Sequence, residues 1–225
     1  TLFTGAIGAD EFGNDLKRQM QDFSIEENLY INKENATGSC VVLVTPDGER
    51  TMNTDLGASC LYDESAIPYE KLKQTKIFHV SGYQWEVEKQ RDVILKAATF
   101  AKSQGALISF DLADPGVVER HKHGFCDFIC DVADIVFANR KEAYLLYGLS
   151  PQETANKIAR FGNKIAVIKL DAQGAIVQKD SQYFCVDALK TSVVDSTGAG
   201  DMFASGFLYG FGEGKSLKEL RIEFE

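Results

Sequence analysis

Gly198-Ala199-Gly200-Asp201 stands between a run that ends in Val193-Val194 and the apolar run Met202 to Gly210. If a helix begins near Gly198, its first amide N–H groups project with no side chains in the way, and such a terminus attracts an anion. A carboxylate at Asp201 does not suit a phosphate ligand, because like charges repel. It suits a base that takes a proton from a hydroxyl while the amides of Gly198, Ala199 and Gly200 hold the phosphoryl group under attack. A plainer reading treats the glycines as a tight turn and Asp201 as an acid that complements the helix dipole. The joint pattern of a strand, three small residues, an acid and then small Ala204, Ser205 and Gly206 is much rarer by chance.

Those residues need elements to position them. Strand-like runs at 75–81, 106–111, 133–138 and 164–169 alternate with helix-like runs at 86–103, 115–130, 140–147 and 151–161. Repeated βα units predict an α/β fold with a mainly parallel sheet and helices on both faces. The strands end in "HVSG", "SFDLADP", "FANRKE" and "IKLDAQG", and "VVDSTGAGD" completes the set. In an open parallel sheet the carboxyl edge binds ligands, so five polar ends converge on one crevice. Residues 28–55 break the alternation and are expected to form a small antiparallel lid, polar at alternate positions, with "PDGE" at 46–49 as its turn. The α/β core then comprises 1–27 and 56–225. Residues 174–187 read as a second hairpin, and Asp10 as the cap of a helix over 11–21. "GFGEGKS" at 210–216 imitates a phosphate loop, but it is one residue short and follows a helix, so it is read as a helix C-terminal turn.

A formal net charge of −9 leaves no basic footprint for nucleic acid. A small phosphorylated ligand stays compatible, since amides and a metal can build its site. Cys40, Cys60, Cys126, Cys130 and Cys185 are odd in number and scattered, and read as reduced thiols. Cys126 and Cys130 with nearby His121 and His123 lack the tight paired spacing of structural zinc. No signal peptide and no run of membrane-spanning length is present, which gives a cytoplasmic expectation without a membrane partner. The chain opens inside a strand pattern and closes inside a helical one, and reads as truncated at both ends.

"DSTGAGDMFASGFLYG" resembles the carboxyl-terminal signature of the ribokinase or PfkB family of sugar and nucleoside kinases. The resemblance extends over almost the whole chain through "GAIGADEFG", "TPDGERTMNTDLGAS" and "DLADPGVVERH". It implies a ribokinase-like three-layer sandwich with a β-sheet lid, an anion hole at Gly198, Ala199 and Gly200, and Asp201 as catalytic base. Asp195 and Thr197 match positions that form a monovalent cation site, K⁺, in many members. Asn139 and Glu142 match an Asn-x-x-Glu motif that organises Mg²⁺ and its waters near the nucleotide phosphates. As residues alone they read equally as a helix start, with Asn139 as N-cap and Glu142 three residues on; both roles are compatible. Lys169, Asp171 and Gly174 fall where the family has a Gly-containing nucleotide loop; Gly174 fits, while Lys169 and Asp171 depart from the commoner Thr and Gly.

The function expected is ATP-dependent phosphoryl transfer to a hydroxymethyl group of a sugar or nucleoside, with Mg²⁺, and the lid resembles adenosine-kinase-like members. Arg50 on the lid reads as a solvated strand charge, and alternatively as a group reaching over the substrate. A homodimer through the lid edge is a further expectation. The alternative is a kinase-fold protein that binds a metabolite without transferring phosphate. A dinucleotide-dependent oxidoreductase is disfavoured, because no Gly-x-Gly-x-x-Gly stands at a strand-to-helix turn.

Overall fold

The computed structural model of the chain describes residues 1–45, 50–188, 197–217 and 219. It divides into two compact units, Thr1–Glu70 with Val87–Ala97, and Lys71–Glu86 with Ala98–Glu225.

In the first unit, β1 (Leu2–Gly8) leads into α1 (Glu11–Asp22), and β2 (Glu26–Asn32) pairs with β1 in parallel. Residues 28–32 are therefore not an antiparallel lid strand. The helix that intervenes returns the chain to the same end of β1, so only a parallel partner fits. Asp10 caps α1 by accepting from the Gly13 amide at 2.9 Å, as its position predicts. It also accepts from the Thr37 amide at 2.7 Å and the Thr37 hydroxyl at 2.6 Å, tying the β1–α1 turn to the segment after β2. The antiparallel pair is β3 (Ser39–Val44) with β4 (Arg50–Asp55). The 46–49 turn expected between them lies outside the described residues. β3 does not alternate as expected: Val41, Val42, Leu43 and Val44 are apolar and exposed on both faces.

The second unit carries α2 (Tyr69–Leu72) at its boundary and a six-stranded sheet. Its strands are β5 (Ile77–Ser81), β6 (Leu107–Asp111), β7 (Ile135–Asn139), β8 (Ile165–Lys169), β9 (Ala175–Lys179) and β10 (Gln182–Val186), in the order β10-β9-β8-β7-β6-β5. β5 to β8 are parallel; β9 and β10 add an antiparallel hairpin beyond β8. Its helices are the end of α3 (Glu88–Ser103), whose residues up to Ala97 belong to the first unit, together with α4 (Pro115–Asp131), α5 (Arg140–Tyr147), α6 (Pro151–Ala159) and α7 (Ala199–Gly212). The central strands are short β-branched and aromatic runs buried on both faces, which suits a sheet covered by helices on each side.

One face bears Ile135, Phe137, Ile165, Val167 and Val177, packed against Ala204 and Phe207 of α7. On the other face Phe110 meets Phe125 and Phe128 of α4, with Trp85 closing the group at ring-centroid distances of 4.9–5.3 Å. Helix starts follow local chemistry: Asp114 caps α4 with Pro115 at its first turn, and Ser150 with Glu153 forms a capping box on α6. α7 ends at Gly212, and Gly214 has φ 85°, so "GFGEGKS" is the helix C-terminal turn its position predicted.

Phe110 is fully buried and packed by three aromatic rings, two of them edge-on. Phe110→Ala is expected to lower unfolding free energy by about 3–5 kcal/mol, read from the midpoint of a urea denaturation curve at unchanged slope.

Candidate active site

Parallel alignment of β5 to β8 brings Ser81, Asp111, Asn139 and Lys169 to a single sheet edge. The register is direct: Ser81 pairs with Asp111, and Asn139 with Lys169. The helix start expected near Gly198 is there as well. Gly198 is the N-cap of α7 at φ 75°, ψ 0°, a left-handed conformation that glycine adopts without strain, and its carbonyl accepts from Met202 N at 2.9 Å. Ala199 and Asp201 are exposed in the first turn, Gly200 is half-buried, and Thr197 is an exposed turn residue before the cap. Val193, Val194 and Asp195 lie outside the described residues, so the strand end and one half of the monovalent-cation pair are not described.

Asn139 and Glu142 form the capping box of α5. The Glu142 amide donates to Asn139 Oδ1 at 2.9 Å, while the Glu142 carboxylate accepts from Asn139 N and Asn139 Nδ2, each at 2.7 Å. Glu142 is 1% exposed. Burial is the main force raising its pKa to about 7; the Asn139 amide opposes it, Asp111 adds to it, and Lys169 offsets it.

Lys169 donates to Asp111 Oδ2 at 2.9 Å, an ion pair that bridges β6 and β8 over β7. Asp111 is 4% exposed, and its other oxygen accepts from the Ala113 amide at 3.0 Å. A Cβ placed on Gly200 would lie 3.1 Å from Lys169 Nζ, so the ammonium abuts the first turn of α7. His79, in the middle of β5, shares a 2.9 Å hydrogen bond with Ser109 Oγ. Burial lowers its pKa, against the attraction of Asp111 and Asp201. Tyr83, in the turn after β5, is held above the usual phenol range by burial and then by Asp114, Asp201, Glu142 and Asp111. These groups therefore share one electrostatic field.

Asp111, Asp114, His79 and Tyr83 were not among the residues the sequence reading singled out. "SFDLADP" marks a polar strand end, and the structure sets its Asp111 against Lys169. Gly174 has φ 82° and ψ −130°, and a Cβ there would sit 1.7 Å from the Val186 carbonyl oxygen. Its glycine is required by the β9–β10 hairpin crossing over it. Asp171 is exposed in the single 3₁₀ turn after β8, where Arg140 bonds Gln173 at 2.6 Å. Arg50 begins β4 in the other unit, and its side chain lies outside the described residues. Among the described residues no group of three or more His, Cys, Asp or Glu side chains is placed to hold a metal ion. No described helix is long and apolar enough to cross a membrane.

A mostly parallel sheet between two helical layers, a separate small antiparallel sheet and an acid in the first turn of α7 define a ribokinase-like fold. Residues 1–221 match the pfkB family of carbohydrate kinases, and the chain belongs to that family. It is 27% identical over 225 residues to an uncharacterised sugar kinase of Archaeoglobus fulgidus, covering 97% of this chain and 86% of that protein. It is 28% identical over 236 residues to the 5-dehydro-2-deoxygluconokinase of Clostridium perfringens, covering 99% and 69%. The adenosine kinase of Sinorhizobium meliloti superposes with a TM-score of 0.92 at 30% identity, covering 98% of this chain and 68% of that one. A probable sugar kinase of Rhizobium etli gives 0.92 at 33%, with the same coverage.

Glu142 also makes a prediction independent of any ligand. Its folded pKa of about 7 lies above the ordinary 4.5, so its protonated form stabilises the fold at acid pH and that contribution is lost as pH rises through about 7. A shift of this size corresponds to roughly 3 kcal/mol. In metal-free protein the Glu142 contribution is expected to be lost between about pH 4.5 and pH 7, so Glu142→Gln is expected to change the dependence of stability on pH over that window by at least about 1 kcal/mol whatever its uniform cost. Denaturation midpoints in chelator at a series of pH values check this; parallel curves for the two proteins contradict it.

Proposed function

We propose that this protein is an ATP-dependent kinase that phosphorylates a hydroxymethyl group of a sugar or nucleoside. The observation that carries the reading is the start of α7, where side-chain-poor residues 198–200 and the exposed Asp201 stand beside the Lys169–Asp111 pair. Relatives that act on a deoxygluconate and on adenosine support both acceptor classes.

In this reading Asp201 accepts the acceptor hydroxyl proton on its carboxylate. The hydroxyl oxygen forms a bond to the γ-phosphorus of ATP, the bond from that phosphorus to the bridging β–γ oxygen breaks, and ADP leaves with the electron pair. The amides of Gly198, Ala199 and Gly200 point at the oxygens on which charge develops. Asp201 is suited to the base role by exposure, since a group that must meet an incoming hydroxyl cannot be sealed in the core.

The residues at Asn139 and Glu142 fit Mg²⁺ held through water. Both Glu142 oxygens already serve Asn139, and a cation relieves the mutual repulsion of Glu142 with Asp111 and Asp114. Mg²⁺ keeps several waters and needs few carboxylates; when bound it neutralises charge on the phosphate oxygens. Thr197, with Asp195, is the place proposed for a monovalent cation.

The test is turnover of ATP with a panel of nucleosides, pentoses, hexoses and hexose phosphates, in Mg²⁺ and K⁺, with Asp201→Asn as control. Turnover is expected to depend on one acceptor and to fall by about two orders of magnitude or more in the variant while ATP binding persists. Near-normal turnover in Asp201→Asn overturns the base assignment, and no acceptor-dependent turnover in the parent protein overturns the kinase reading.

A further inference from the structure

We propose that Lys169 donates to the phosphoryl group in transfer, and that Asp111 is the positioning residue that aims it. The proposal rests on the kinase reading and adds to it a cation that the signature motif does not contain.

The register sets the geometry. Asp111, Phe137 and Val167 occupy one row across β6, β7 and β8, and Phe137 and Val167 face α7. Lys169 lies two residues further along β8, so its side chain is on the same face. It reaches back along that face to Asp111, with its ammonium against the first turn of α7. That location is electrostatically unfavourable by itself. The N-terminus of a helix carries partial positive charge, and a cation belongs at the opposite end. Burial adds to the penalty, because side-chain exposures of 17% for Lys169 and 6% for Asp111 leave little solvation for either charge. A pair this buried is weak evidence for stability, since desolvation can exceed the Coulomb gain.

An anion that contacts both the ammonium and the α7 amides from the open side of the sheet edge removes the conflict. Each positive group then faces a negative one. Asp111 engages a single N–H of the ammonium, which has three donors, and the others can serve a phosphoryl oxygen. Gly200 makes room for the ammonium: a Cβ there would press on Lys169 Nζ at 3.1 Å. Asp111 is unsuited to act as a base, because its oxygens accept from Lys169 and from the Ala113 amide. Ala113 itself is held at φ 69°, a conformation non-glycine residues rarely adopt. The carboxylate is therefore fixed from below by backbone, as a positioning group should be.

The experiment uses the full-length protein with the acceptor that supports turnover, and compares Lys169→Met, Lys169→Arg, Asp111→Asn and the double variant Lys169→Met/Asp111→Asn. Lys169→Met is expected to lower kcat about 100-fold, with MgADP affinity within about threefold, because ADP lacks the phosphoryl group contacted. Lys169→Arg is expected to recover about tenfold of that loss, since it keeps the charge but not the shape. Asp111→Asn is expected to lower kcat about tenfold, and the double variant to match Lys169→Met within about threefold, because Asp111 acts through Lys169. The double variant also removes the buried unpaired carboxylate, so it separates misfolding from lost chemistry. Near-normal kcat in Lys169→Met, losses that multiply in the double variant, or loss of ADP binding in the double variant each overturn the proposal. With the parent active and Asp201→Asn inactive, those results leave the kinase reading standing; an inactive parent overturns both.

Discussion

The ion pair between Lys169 and Asp111 sets the charge balance of the sheet edge. Parallel strands deliver their polar ends to the same side, and here that sets Asp111 and Asp114 within electrostatic reach of the buried Glu142. In low dielectric those neighbouring carboxylates disfavour a charged Glu142. Lys169 counters this from the middle of the group, lowering the cost of a charged Glu142 while Asp111 raises it. The pair also links β6 to β8 across β7, so the electrostatics of the edge and the alignment of its strands are the same contact.

The groups at this edge serve the fold and the site together. Asn139 and Glu142 satisfy the first amides of α5, Asp114 those of α4, and Asp111 the amide of the strained Ala113. Helix starts leave donors that something must accept from, and short acids and amides are the side chains that do so. Where several helices start at one sheet edge, their caps converge. A polar cluster therefore arises from helix capping before any ligand is considered. α7 differs from α4, α5 and α6 in that its N-cap, Gly198, makes no side-chain cap hydrogen bond.

Much of this was legible in the sequence. The strands β5 to β8, the intervening helices, the caps at Asp10 and Asn139, and the hairpin at 174–187 follow from hydrophobic period and turn residues. The direction of β2 did not, because "NLYIN" fixes a strand but says nothing of its partner; only the path through α1 does. Lys169 was visible as a departure from the commoner Thr, yet its partner lies 58 residues away. No spacing rule relates a lysine to an aspartate two strands over. His79 was equally silent, since a single histidine in an apolar strand looks like core until the acids around it are placed. The Gly174 signal was real but had a second cause: the Val186 carbonyl requires a bare Cα there, whatever binds nearby.

A chain of net charge −9 repels a polyanion at long range, and the site reconciles this by confining its positive groups to short range. Screening at physiological salt extends over about 8 Å, so the global charge weighs on encounter more than on a ligand already in contact. Under the proposed function, the terms that matter at contact are the amides at the start of α7 and the ammonium of Lys169. The surrounding acids then gain a role under the proposed function. They disfavour a bare anion and favour one that arrives with its own divalent cation, as a magnesium-bound nucleotide does. An edge built only of cations would hold phosphate tightly in ground state and product alike, with no gain in rate. Under the proposed function, mixed charge, with few donors among several carboxylates, favours the attraction that grows where charge develops during transfer.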